Sequence, residues 1–373
     1  GYANVANGYM ALYKNTTGYY NIAHGYYALY TNSTGYSNTA DGYQALRYNT
    51  TGYHNTAVGH YALRANTTGI KNTANGSYAL QSNTTGIENT ANGYYALYAN
   101  TTGNSNTANG YYALRSNIVG VGNVATGVNA LYSNKGDYNT ASGYKALNFN
   151  TTGHSNTANG YNALYTTTTG TSNTANGYRA LFSNTTGASN VANGYQALYY
   201  NTTGSYNVAN GYQALYANTT GSGNIGIGFL NNAGTYAPVF NPTTENNRIV
   251  MGHTSVTNAY IQVAWTVVSD ARDKTAFAPV NYGLDFVNDL KPTEYQFKAG
   301  GRDGEADGIR RYGFLAQDIL ELEGDNPVLV DAEDPDKLKL KESNIIPVLV
   351  KAIQELSAKN DALTARIATL EGA

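Results

Sequence analysis

A period of 17 residues runs through the first 228 positions and constrains the fold more than any other feature of the chain. The unit reads Asn-Thr-Ala-Asn-Gly-Tyr-Tyr-Ala-Leu-Tyr-Ala-Asn-Thr-Thr-Gly-x-x, as at residues 89–105. Its leading Asn recurs from Asn4 to Asn224 and gives thirteen full units. One unit, 123–138, has 16 residues, with Lys135-Gly136-Asp137 in place of the usual Thr-Thr-Gly. A fixed period of this length marks a stack in which each unit packs mainly on its neighbours. No apolar spacing of three and four persists, so the units are not helices. Short β-prone pieces between Gly and Asn turns predict one β rung per unit. At ~4.8 Å per rung the shaft is about 65 Å long.

Three columns never vary: Leu (Leu12 to Leu215), the Ala before it (Ala11 to Ala214), and a second Ala two residues after the leading Asn (Ala6 to Ala209). They are the expected interior. One Leu and two Ala per rung make a thin core, so the expectation is that two symmetry mates complete it. The Gly column (Gly8 to Gly211) is expected at positive φ or at a close backbone approach. The chain has 36 Tyr, most of them after that Gly and after Ala-Leu. They read either as ring ladders that stack on sugars or as caps on β rungs with their hydroxyls in water. Ten Asn-x-Ser/Thr triplets (Asn15, Asn32, Asn49, Asn66, Asn83, Asn100, Asn150, Asn184, Asn201, Asn218) read as local Asx turns rather than glycan sites.

Charge divides the chain. Residues 1–223 hold eight basic and three acidic side chains, a net +5; the remaining 150 hold 14 basic and 21 acidic, a net −7. Neither part carries the dense basic stripe of a nucleic-acid binder, and none is expected. There is no cysteine, so disulfides and thiolate metal sites are excluded. No apolar run approaches the ~20 residues of a membrane span. The chain opens inside a repeat at Gly1-Tyr2 and reads as a fragment or processed product, with any upstream anchor outside it. His24, His54, His60 and His154 lack metal-ligand spacing. Gly221-Ser222-Gly223-Asn224-Ile225-Gly226 matches a dinucleotide fingerprint but lies in repeat register with no helix after it. The acidic stretches 303–307 and 331–336 lack the spacing of a calcium loop. No metal or cofactor is expected.

The repeat pattern Asn-x-Ala-x-Gly-x-x-Ala resembles the head repeats of trimeric autotransporter adhesins, a β-roll shared by three chains. It is also similar to repeats of phage-like fibre proteins. Beyond it the expected organisation is a β-repeat shaft at 1–228, a β neck or tip at 229–268, a small α/β domain at 269–343 and a terminal helix at 344–373. The neck carries strand-like stretches at 248–252, 259–263 and 265–268.

At the compositional frontier stands Val267-Val268-Ser269-Asp270-Ala271-Arg272-Asp273-Lys274. A serine becomes a nucleophile when a base takes its proton, and a desolvated lysine can serve as that base. A five-residue offset alone is common by chance and reads as a solvated turn. The segment as a whole resembles the Ser-Asp-x-Arg-x-Lys signature of endosialidase-type intramolecular chaperone domains, found at the C-termini of phage tailspikes and fibres. The likeness continues through Leu284–Leu290 (a short helix), 290–297 (a strand), 312–319 (a Gly-x-x-Ala-Gln-acid helix entry) and 345–353 (the start of a terminal helix). It implies a domain that trimerises, guides folding of the preceding β fibre and releases itself once by cutting Val268–Ser269. Ser269 would be the nucleophile and Lys274 the base, with Asp270, Arg272 and Gln317 supporting. The expected partners are two further copies of the chain and a host-surface glycan or protein receptor, on a virion tail fibre or a bacterial surface. The alternatives are a purely structural filament and an ice-binding repeat.

The terminal helix is legible without any resemblance. Ile346, Ile353, Asn360 and Ile367 fall at a; Leu349, Leu356, Leu363 and Leu370 fall at d. This is a coiled-coil seam. Ile at a, Leu at d and one Asn favour two strands in isolated peptides, whereas the resemblance implies three; three is the expectation, because the attached domains constrain the helix.

Overall fold

A computed structural model describes residues 1–229, 238–253, 256, 269, 271–298, 305–325, 327–333, 335 and 338–372. The chain divides into two units, Gly1–Thr254 and Ser255–Ala373.

The first unit is a β-solenoid with 17-residue spacing. Fourteen three-residue strands, β1 (Val5–Asn7) to β14 (Ile225–Ile227), each begin one residue after a leading Asn. They pair in parallel with their sequence neighbours, with like residue on like residue, as in Thr73↔Thr90 and Ala74↔Ala91. The middle residue of each strand points inward and the outer two point to the surface, as the alternation of a strand requires. The pseudo-dinucleotide stretch runs into β14 and opens no helix. A fifteenth strand, β15 (Ile249–Met251), continues the sheet beside β14, with Val250 in the inward position. This rung comes after a 24-residue step, and Arg248 stands where the leading Asn would be: its N–H donates to Asn224 Oδ1 at 2.9 Å. Of the other strand-like neck stretches, 259–263 and 265–268 lie outside the described residues.

The interior corrects the expectation that symmetry mates complete the core. From Leu29 to Leu215 every Leu of the column is fully buried within one chain, as are the Ala columns from Ala23 and Ala28 onward. The missing volume is supplied by asparagine. Two Asn columns, read from sequence as turns, line the interior. Asn89 Nδ2 donates to Asn72 Oδ1 at 3.1 Å and to the Gly103 carbonyl at 2.8 Å, and Asn89 Oδ1 accepts the Asn106 N–H at 3.0 Å. The sequon Asn form the second ladder: Asn100 Nδ2 donates to Asn83 Oδ1 at 2.9 Å and to the Gly103 carbonyl at 3.0 Å. In such rungs each amide satisfies a local turn and a neighbouring rung together, so its buried N–H groups are paired. Nine of the ten sequon Asn are fully buried, and the nitrogen that a glycan would modify is already in use.

The turns are unusual. Every Leu of the column lies in the left-handed region, with φ of 48–54°. This conformation costs a non-glycine residue roughly 1–2 kcal/mol. It is held by burial of the side chain and by rung-to-rung bonds such as Leu97 N–H to the Ala113 carbonyl, 3.0 Å. Gly93 shows why that column is glycine: φ is 135°, and a Cβ would meet the Gly110 carbonyl oxygen of the next rung at 2.5 Å.

The second unit is small. Helix α1 (Leu284–Asp289) is followed by β16 (Thr293–Tyr295), which pairs antiparallel with β17 (Arg311–Gly313). Helix α2 (Ala316–Glu323) leads to β18 (Val330–Asp331), paired with β19 (Lys339–Leu340), and then to α3 (Ile345–Glu371). Pro347 is tolerated in the first turn of α3, where its missing N–H has no intrahelical partner to lose. Ile319, Leu329, Val330, Ile345 and Val348 form the core. The Glu355 carboxylate of α3 ties the unit together by accepting the Leu284 N–H at 2.7 Å, at the start of α1. Gly283 leaves room for that carboxylate, which would meet any Cβ there.

Candidate functional site

The segment from Ser269 onward turns back on itself. A short 3-10 turn at Ala271–Asp273, closed by the Lys274 N–H on the Ala271 carbonyl (3.2 Å), converts a five-residue offset into side-chain proximity. Lys274 Nζ donates to Ser269 Oγ at 2.7 Å. Both side chains are exposed, as is Arg272 in the turn between them. Val268 and Asp270 lie outside the described residues. Gln317 sits exposed in the first turn of α2, and among the described residues no hydrogen bond joins it to Ser269 or Lys274.

The exposure bears on the chemistry. An ammonium that donates to a hydroxyl cannot take its proton; general-base action needs the neutral amine as acceptor, a form that burial favours. The single chain therefore brings nucleophile and amine into contact without excluding water from them.

A cleft of about 670 Å³ opens elsewhere in this unit, among Tyr282, Glu323, Val328, Leu329 and Pro347, and neither Ser269 nor Lys274 lines it. Of its two acids, Glu323 and Asp325, the first is engaged structurally: the Glu323 carboxylate accepts the N–H groups of Val328, Leu329 and Val330 at 2.8, 2.8 and 3.0 Å. Burial, and then the Glu323 charge, push the Tyr282 hydroxyl above its ordinary pKa. Asp307 lies in one acidic stretch and forms a 2.8 Å ion pair with Arg311. Its carboxyl is held below the usual range by the Ile309 N–H, against burial, with help from Arg311. Asp331, in the other stretch, pairs with Lys339 at 3.4 Å.

The second surface feature is the heptad stripe. Ile346, Leu349, Ile353, Leu356, Leu363, Ile367 and Leu370 are 39–72% exposed, and Asn360 between them is exposed as well. An adjacent face of α3, about a quarter turn away, buries Ile345, Val348 and Ala352 on the domain. From Leu356 to Gly372 every residue is exposed, so four turns of helix pack on nothing among the described residues.

On the shaft, the tyrosines after the Gly column stack on one another. Tyr144, Tyr161, Tyr178, Tyr195 and Tyr212 form one run with centroids 4.7–5.2 Å apart and planes within 12° of parallel. Within such a run each ring face is covered by the next rung's ring, and edges and hydroxyls face outward. The faces that a sugar would stack on are therefore occupied. His60 takes a place in a similar run, 5.1 Å from Tyr43.

Residues 269–329 match the family model Peptidase_S74, described as "Chaperone of endosialidase". The match begins at the serine of the Ser269–Lys274 pair and ends at Leu329 in the domain core. The chain thus carries a chaperone-of-endosialidase domain behind a β-solenoid shaft. Searches of curated proteins and of solved structures gave no match. No helix among the described residues is long and apolar enough to cross a membrane.

Proposed function

We propose that this chain is one third of a homotrimeric fibre whose C-terminal domain assembles and folds it and then detaches by a single self-cleavage. The observation that carries the reading is the 2.7 Å contact between Lys274 Nζ and Ser269 Oγ, at the first residue of the chaperone match. In the step proposed, Ser269 Oγ attacks the Val268 carbonyl carbon while neutral Lys274 takes the hydroxyl proton. The C–O bond forms as the C–N bond breaks, and the freed Ser269 nitrogen takes the proton back. Water then hydrolyses the ester, leaving the Val268 carboxylate and the Ser269 hydroxyl. Asp270 and Arg272 hold the loop, and Gln317 is a further supporting candidate. The exposed pair becomes competent when neighbouring copies bury the amine, which makes scission follow assembly.

The exposed stripe on α3 supports self-association through a parallel coiled coil, with three copies as the number. A regular β shaft supports a fibre or adhesin on a virion tail or bacterial surface, with a host-surface glycan or protein as receptor. Since ring faces in the tyrosine runs are covered, a glycan would meet hydroxyl rows and ring edges there.

Intact-mass measurement of the purified wild type beside Ser269→Ala and Lys274→Ala tests the reading. The expected wild-type products are fragments ending at Val268 and beginning at Ser269, with both variants uncut yet of the same oligomeric mass. A wild type that assembles and stays full length sinks the scission.

A further inference from the structure

The outward faces of the rung strands are not uniform along the shaft. In most rungs the two outward positions hold a β-branched residue and an amide or another polar group: Thr73 and Asn75, Thr90 and Asn92, Thr157 and Asn159. The amides are tied along the column, Asn92 to Asn109 at 2.9 Å and Asn159 to Asn176 at 2.8 Å, so this face is a hydrated amide ladder. Towards the C-terminal end the pattern changes. The first column, where Val5, Ile22 and Val124 interrupt Thr earlier in the shaft, becomes an unbroken run of Val191, Val208, Ile225 and Ile249, and the second ends in Ile227 and Met251. Among the fifteen described rungs, only β14 and β15 carry an apolar residue at both outward positions. The patch is open: Ile227 is 44%, Ile249 68% and Met251 52% exposed.

We propose that this patch is where shafts of neighbouring copies touch, and that the Thr-x-Asn rungs before it stay apart in water. The inference deepens the homotrimer reading above and rests on it. Three arguments select a second copy as occupant. Leu and Ala are enclosed by one chain, so shaft contacts are not needed to close the interior. In a cyclic assembly every copy sits at the same height along the axis, so like rung faces like rung and a single apolar band is self-complementary. The band also lies on the rungs nearest in sequence to the domain whose exposed heptads call for further copies of this chain. The contact would fix the ends of the three shafts at a common height.

The absence of cysteine makes the test clean, because any thiol introduced is the only one. Ile227→Cys, Met251→Cys and Asn159→Cys would be made singly in the full chain and treated with a short bis-maleimide. Denaturing gels read the cross-link, and light scattering reads the mass of the native assembly. The expected result is covalent oligomers for Ile227→Cys and Met251→Cys and their loss for Asn159→Cys, all three being trimers in solution. Rewriting the patch as ordinary rungs (Ile225→Thr, Ile227→Asn, Ile249→Thr, Met251→Asn) should abolish cross-linking from Val208→Cys while the rungs, now of consensus type, still fold. Trimers without cross-links at 227 and 251, or with equal cross-links at 159, overturn the inference and leave the trimer standing. A monomer by scattering overturns the trimer reading, and the patch contact with it.

Discussion

The two units solve the problem of a small core in opposite ways. The shaft closes on itself: each rung's Leu and two Ala are covered by neighbouring rungs, and the buried amides find partners 17 residues away. The C-terminal unit leaves its longest helix half unpacked, with a row of Ile and Leu in water. The shaft is therefore complete as a structure but ambiguous as a folding problem. Its rungs are nearly identical, so a rung paired with the wrong neighbour still sets Leu on Leu and Asn on Asn. A register slip by one whole unit loops out 17 residues at little cost in contacts, which is the kind of trap that slows repeat folding. The second unit has the reverse properties: a unique sequence and an unsatisfied surface. On the proposed function the difference gives a physical reason for joining them: a unit that gathers copies and fixes one end would remove the degeneracy that the shaft cannot remove alone.

The largest expected effect breaks the comparison on the side of the helix. Ile353→Asp places a charge in the middle of the exposed stripe, where the single chain tolerates it because Ile353 is already 65% exposed. Burial between helices would leave that charge unpaired, which costs several kcal/mol per copy. Sedimentation should show the proposed trimer mass replaced by that of one chain, with the far-ultraviolet circular dichroism of the shaft retained. An unchanged mass would mean that the stripe does not hold the copies together.

An intermediate effect sharpens the shaft side, and nature has already made the variant. In the second Asn ladder position 167 is Thr, and there Asn150 Oδ1 and Thr167 Oγ1 are buried without a hydrogen-bond partner. Unpaired buried polar atoms cost about 1–3 kcal/mol each. Thr167→Asn should restore the ladder and stabilise the shaft by an amount in that range, while Asn100→Thr should copy the flaw into a sound rung and destabilise by a similar amount. Chemical denaturation of the two variants beside the wild type reads both signs. If neither moves the midpoint, the ladders are not the polar spine of the interior.

Much of this was legible in sequence, for identifiable reasons. Periodicity is explicit, so the rung, its invariant columns and the heptad seam could be read directly. Leu284–Leu290 and the Ala316-Gln317 helix entry were readable because they belong to a recognisable succession. The closed interior was not, because Asn is a turn residue by habit and only the stacking of rungs turns its amide into buried filling. Left-handed Leu gives no sequence signal at all, since the conformation is imposed by rung-to-rung bonds rather than by local preference. The fifteenth rung was obscured by a 24-residue step and by Arg248 in place of Asn. For the candidate site, the sequence supplied Ser269 and Lys274 as types at a spacing; the 3-10 turn that joins them, and the water around them, needed coordinates.

The smallest expected effect concerns the tie between α1 and α3. The Leu284 N–H on Glu355 holds its carboxyl below the ordinary value near 4.5, against a burial effect that raises it, with Lys351 and Lys359 adding to the lowering. A group whose pKa is lower in the folded chain stabilises the fold at pH above the unfolded value. That contribution disappears as pH falls through the folded value. Glu355 should therefore support the C-terminal unit at neutral pH and cease to do so in the acid range below about 4.5. Glu355→Gln keeps the shape but neither titrates nor offers a charged acceptor to Leu284. The variant should melt below the wild type at pH 7, with the gap closing as pH is lowered into that range. The Lys351 ion pair is partly exposed and contributes little by itself, so Lys351→Met should leave most of the difference in place. A gap that stays constant with pH would assign the tie to shape alone and remove the carboxylate from the account of how α1 is held against α3.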